Sequence, residues 1–229
     1  MALSEAEAIP GSKPQLHVQL LQTRLLLTQM RGNLESAAHM CEQLRRKYRS
    51  LGDTRGDCGA AINLANVEYD RGQPMRSVAL AHEILPAARS HDTDLLSLVL
   101  SNMAGYLLAV DDLSGTAAAA RELLGLYATP EPDNVDAVLG LEYLALIHAL
   151  RGDLICGATL QGYADSMLRR HGYERDSLEK STCERLNGVL HERIATDERE
   201  RFAAEGAALT HDAAIAPALE ALTPPLDPR

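Results

Sequence analysis

The chain has 229 residues and a net charge of −10, with 24% of its residues charged. Phosphate backbones repel an acidic chain, which argues against direct nucleic-acid binding. Residues 1–10 lack the basic and apolar pattern of a signal peptide, and the longest apolar run, 95–110, is too short to span a bilayer. These properties predict a cytoplasmic protein that contacts neither nucleic acid nor membrane.

The composition predicts an all-α fold. Aromatic residues make up only 3% of the chain, and Ala and Leu, which are strong helix formers, dominate. The cysteines match no zinc or disulfide spacing and suit a reducing compartment: Cys41, Cys58, Cys156 and Cys183. We therefore expect no metal and no cofactor.

In chain order, 1–13 is predicted to be a flexible lead, and Pro14 opens the first helix. The helical runs that follow end at four turn residues: Gly32, Gly72, Asp111 and Gly152. Successive turn residues lie 40, 39 and 41 positions apart (32 to 72, 72 to 111 and 111 to 152). This spacing predicts four helix pairs over 14–171.

A small residue follows each turn residue by five positions: Ala37, Ser77, Thr116 and Gly157. Small residues at this point let the second helix of a pair approach the first closely. One pair cannot bury its own apolar face, so neighbouring pairs must stack. The pattern predicts a right-handed α-solenoid with a period of about 40 residues.

Local signals refine the boundaries. Asp92 is a good N-cap for the third pair, and Pro86 should kink the preceding helix or end it early. The segment 128–133 is predicted to be a loop. After Gly172, Asp176 with Glu179 predicts a capped helix.

The C-terminal region changes register after residue 171. Further caps at 196–197 and 210–212 predict two more short helices. We therefore expect a helical C-terminal cap over 172–222 and a disordered tail over 223–229.

The turn-and-helix pattern over 14–171 resembles tetratricopeptide-type repeats. The best match is 63–72 (NLANVEYDRG), together with Ala37 and its small equivalents. The resemblance implies a protein or peptide partner bound in a concave groove.

Two further stretches, 157–165 (GATLQGYAD) and 202–219, resemble the C-terminal repeat region of bacterial LuxR- and AfsR-type ATPase transcriptional regulators. In that family the region senses a ligand or a partner protein. The chain has no GxxxxGK[ST] loop, so the resemblance implies a sensor or scaffold portion without the ATP-driven switch.

Polar residues recur nine positions before the turn residues: Thr23, Asn63, Asn102 and Tyr143. The matching Asn of clamp-type tetratricopeptide proteins hydrogen-bonds an extended peptide backbone, which implies that role for Asn63 and Asn102 here. Asn66 and Tyr106 would lie nearby on the same groove. The alternative is that the Asn residues satisfy polar groups between helices.

Catalytic patterns are absent from the sequence. His148 is the one histidine deep in an apolar run, which is typical of a core or groove histidine rather than a base.

The basic segment 45–49 (RRKYR) is interpreted as a solvated helix end, with an anion or partner site as the alternative.

The sequence therefore predicts a non-enzymatic protein-binding scaffold or regulatory module. A small-molecule-sensing domain of a transcriptional regulator is the alternative, and an enzyme on the same scaffold is a distant third. Homodimerisation is compatible with each of them.

Overall fold

The computed structural model describes residues 20–21, 23–25, 28, 32–127 and 134–220, and within them the regular structure is entirely α-helical. The predicted all-α class is confirmed. The predicted lead 1–13, most of the first helix, the loop 128–133 and the tail 223–229 lie outside the described residues. The chain divides into two compact units, Met1–Leu95 and Leu96–Arg229.

Within residues 32–95, the first unit contains three complete helices and the start of a fourth. They are α1 (Leu34–Leu51), α2 (Thr54–Asp70), α3 (Pro74–Arg89) and the first residues of α4 (Thr93–Ala109). Helix α1 packs on α2, and α2 packs on α3. Their buried faces are mostly Ala, Leu and Cys, including Ala37, Cys41, Leu44, Ala61, Leu64 and Ala81.

The described residues of the second unit, 96–127 and 134–220, contain the rest of α4 and six further helices. They are α5 (Leu113–Gly125), α6 (Val135–Leu150), α7 (Leu154–His171), α8 (Ser177–Arg193), α9 (Thr196–Ala207) and α10 (His211–Glu220). Helix α6 is central: every residue from 137 to 149 is buried, and α5, α7, α8 and α10 all pack on it. A helix that is apolar all round belongs in a core.

The four turn residues share a left-handed backbone conformation, with φ between 61° and 93° at Gly32, Gly72, Asp111 and Gly152. After three of these turns the next residue is an N-cap whose side chain accepts a backbone N–H: Asn33, Asp112 and Asp153. At the remaining turn Pro74 opens the helix. The predicted turn positions are confirmed.

The small residues five positions after each turn are all buried. Ser77 Oγ donates to the Ala65 carbonyl at 2.7 Å. A Cβ on Gly157 would stand only 3.0 Å from the Ala145 carbonyl oxygen. Ala65 and Ala145 are equivalent positions, because each lies seven residues before the turn residue of its helix pair. Paired helices therefore approach closely where the sequence predicts.

Some details differ from the predictions. Helix α3 runs through Pro86 to Arg89, so the predicted early end is wrong; Leu85 and Ala88 are buried and keep this last turn packed. Helix α8 has the predicted capping box of Asp176 and Glu179. The residue that caps α9 is Ala195, without a side-chain hydrogen bond.

Among the described helices, none is both long and apolar enough to cross a membrane.

Candidate functional site

One face of α2 is open to solvent and carries two of the predicted binding residues. Arg55 and Asn63 are exposed, and Asn66 is half-buried, while the residues between them are largely in the core. The amide of Asn63 makes no hydrogen bond to the described part of the chain. An exposed amide both donates and accepts hydrogen bonds, as a peptide backbone does.

A cavity of about 330 Å³ opens beside this face, between α1 and α2. Its lining combines apolar and polar groups: Leu44, Tyr48, Asp53, Arg55, Gly56, Gly59, Ala60 and Asn63. Sites of this size are at the lower end of those that hold ligands, and a few polar groups around an apolar floor are typical of them.

Two glycines shape the cavity in different ways. A Cβ on Gly56 would stand 2.2 Å from the Tyr48 ring, so the absence of a side chain lets that ring pack on the helix. A Cβ on Gly59 would meet nothing within 4 Å. A methyl group at Gly59 would therefore fit without strain.

The cation at the cavity wall is paired. Arg55 Nη1 donates to Asp92 at 3.0 Å, and Asp92 also accepts the Leu95 backbone N–H at 2.8 Å. The Leu95 hydrogen bond, with smaller contributions from His91 and Arg55, holds the pKa of Asp92 below its usual range. Because Arg55 is paired with Asp92, the uncharged polar group beside it at the cavity wall is the Asn63 amide.

The basic segment 45–49 is only partly a solvated helix end. Arg45 is buried and donates to Asp57 at 2.9 Å and to Glu83 at 2.9 Å. Arg49 bonds the same two carboxylates. The Arg45 hydrogen bond, with that of Arg49, lowers the pKa of Glu83. The interpretation as solvated charge is wrong for Arg45, since it ties α1 to α2 and α3.

The remaining predicted residues lie in the second unit. Tyr106 and Tyr143 are fully buried, at 0% and 1% exposure, and Asn102 is half-buried. Asn102 donates to the Leu98 carbonyl at 2.9 Å and accepts from Tyr106 at 3.3 Å. Burial raises the pKa of Tyr143 well above its usual value. The structure therefore brings Asn102 and Tyr106 together inside the fold, with both tyrosine rings away from solvent.

A buried ionic cluster in the second unit was not predicted. Glu142, fully buried on α6, accepts two hydrogen bonds from Arg175 at 2.6 and 3.1 Å. Arg175 also donates to Asp165 on α7 at 2.6 Å. Burial raises the pKa of Glu142, and the Arg175 hydrogen bonds oppose this shift. The sequence feature that could have predicted this cluster is Glu142, the one acidic residue within the apolar helical run 137–149.

In each of two groups of side chains in the described residues, the possible metal-ligand atoms lie within 4.8 Å of one another. One is Glu142, Asp165 and Cys183, and the other is His148, Asp153 and Cys156. In the first group the Arg175 guanidinium already bridges the two carboxylates. This group is a structural ion cluster.

By its fold this protein is all-α, and its consecutive helices pack against each other as in a helical repeat. No protein-family model matches the sequence, and no curated protein matches it either.

Proposed function

We propose that this protein is a non-enzymatic binding module that holds an extended segment of a partner protein on the exposed face of α2. The observation that carries the proposal is the exposed Asn63 amide at the edge of a cavity that Gly59 also lines. The amide supplies paired backbone hydrogen bonds, and the cavity receives one side chain of the partner.

The cavity chemistry disfavours an anionic partner side chain. Leu44 and Ala60 give it apolar walls, and its one cationic group, Arg55, is paired with Asp92. An anionic side chain placed there would lose water without gaining an unpaired cation, which is costly.

The test is selection of a random peptide display library on the full chain, followed by affinity measurement with variants. Gly59→Phe fills the cavity and Asn63→Ala removes the amide, and each should weaken the selected peptides by at least about tenfold. Gly59→Ala is the matched control, because a methyl group leaves most of the space open. Failure to select any peptide, or equal binding by all variants, would contradict the proposal.

Several features stay predictions: the right-handed solenoid, the homodimer, the cytoplasmic location, and the tetratricopeptide-like and regulator-like family assignments. The small-molecule sensor would use the same cavity. It would replace the peptide proposal if a metabolite raised the melting temperature of the wild type and of Gly59→Ala but not of Gly59→Phe.

A further inference from the structure

The second donor group lies where the turn after α6 meets the start of α7. His148 is on α6, Asp153 is the N-cap of α7 and Cys156 is in the first turn of α7. Their ligand atoms all lie within 4.8 Å of one another. Asp153 is exposed, Cys156 is half-buried, and His148 is buried at 1% exposure.

A hydrogen bond fixes the histidine tautomer. His148 Nε2 lies 3.2 Å from the carbonyl oxygen of Ala218 in the last turn of α10. A carbonyl oxygen only accepts, so Nε2 carries the hydrogen and the neutral ring has its lone pair on Nδ1. Metal-binding histidines usually make this bond from the nitrogen that does not face the metal.

The Nδ1 atom lies near the Asp153 carboxylate. It stands 3.6 Å from Asp153 Oδ2, which is too long for a hydrogen bond. Ligand atoms about 2.0–2.3 Å from a tetrahedral zinc ion stand roughly 3.3–3.8 Å apart, so this separation matches one edge of a zinc site.

The aspartate is also held in place. Asp153 Oδ1 accepts the backbone N–H of Cys156 at 3.1 Å, so the cap uses one carboxylate oxygen and directs the other toward His148. The donors are one imidazole nitrogen, one carboxylate oxygen and one sulfur. This set suits zinc and similar borderline-soft divalent ions better than magnesium or calcium.

We propose that His148, Asp153 and Cys156 form a binding site for a divalent transition metal of the zinc class. The three side chains supply three tetrahedral positions, and water takes the fourth. Burial raises the pKa of the Cys156 thiol to about 12, so the metal has to displace the thiol proton, which passes to solvent as the thiolate bonds the metal. The site joins α6 to the start of α7 and is independent of the α2 face in the first unit.

The test is titration of the metal-free full chain with cobalt(II), which reports tetrahedral thiolate ligation by its d–d and sulfur-to-cobalt charge-transfer absorption. We expect one equivalent to bind with both bands, and zinc to displace it. Cys156→Ser should abolish the charge-transfer band. Asp153→Asn, which keeps the capping oxygen, should weaken binding by at least about 10- to 100-fold.

Cys183→Ser is the matched control, since Cys183 belongs to the cluster that Arg175 already neutralises. It should bind cobalt as the wild type does. Far-UV circular dichroism checks that each variant is folded. Any other pattern overturns the proposal: no charge-transfer band in the wild type, a band retained in Cys156→Ser, or a band lost in Cys183→Ser.

Discussion

Asp111 holds a left-handed backbone conformation, with φ 61°, that glycine holds at the equivalent turns. Its carboxylate accepts from Arg185 at 2.7 Å, in an exposed pair of small expected energy. Asp111→Gly and Asp111→Ala both lose that pair, but only alanine keeps a Cβ in the strained conformation. We expect the glycine variant to be more stable by about 1 kcal/mol in urea unfolding. Equal stabilities would show that the turn is not strained.

Gly56 and Gly59 lie one turn apart on α2 and give opposite expectations. Gly59→Ala should raise the free energy of unfolding by about 0.5–1 kcal/mol, because alanine favours helix and the space is open. Gly56→Ala should lower it by about 1–3 kcal/mol, because the methyl group meets the Tyr48 ring. Urea midpoints of the two variants measure both effects. The same sign for both would refute the packing described at Tyr48.

Glu179 completes the capping box of α8 and titrates abnormally. Burial and the nearby Asp176 raise its pKa from 4.5 to about 7, and its Oε1 accepts from Tyr173 at 3.0 Å. At a pH between 4.5 and about 7, Glu179 keeps its proton in the folded protein but has released it in the unfolded chain. This group therefore stabilises the fold below pH 4.5, and the contribution is lost as pH rises through about 7.

Glu179→Gln should remove that part of the pH dependence. Glutamine still accepts from the Asp176 backbone N–H and can donate to Tyr173. The stability of the variant relative to the wild type should rise between about pH 5 and about pH 8, as measured by urea unfolding. A constant difference across this range would mean that Glu179 has an ordinary pKa.

At the scale of elements, Arg175 connects the segment before α8 to α6 and α7. Arg175→Met leaves Glu142 buried without a counter-ion and should cost about 3–5 kcal/mol. Adding Glu142→Gln should recover part of this loss, since a neutral amide is less costly to bury. Arg185→Met, which breaks an exposed pair, should cost less than about 1 kcal/mol. Similar losses for the two single variants would argue against a buried ion pair.

At the scale of the whole molecule, the chain forms two compact units. Local opening follows such units, so a destabilised unit exchanges its amide hydrogens faster. Arg175→Met should accelerate hydrogen exchange in α6, α7 and α8 more than in α1, α2 and α3. Gly56→Ala should accelerate exchange in α1, α2 and α3 more than in α6, α7 and α8. Uniform acceleration across the chain by either variant would show that the two units unfold together.

The helices and turns of this protein were readable from the sequence because their causes are local. Left-handed turn residues at Gly72 and Gly152 and N-caps at Asp112 and Asp153 act within a few residues of the helix ends they set. The small residues that follow, such as Ser77, mark close helix approach wherever the partner helix is adjacent in sequence.

The placement of side chains that meet across the fold was decided by tertiary structure. Tyr143 has the repeat position expected of a binding residue, and Tyr106 was expected on the same groove. Both are buried, and for Tyr143 the cause is the packing of α6 against four helices. Glu142 meets Arg175 33 positions away, and His148 meets Ala218 70 positions away. Sequence periodicity determines which face of a helix is apolar. Only the arrangement of the helices determines which polar groups within that face find partners.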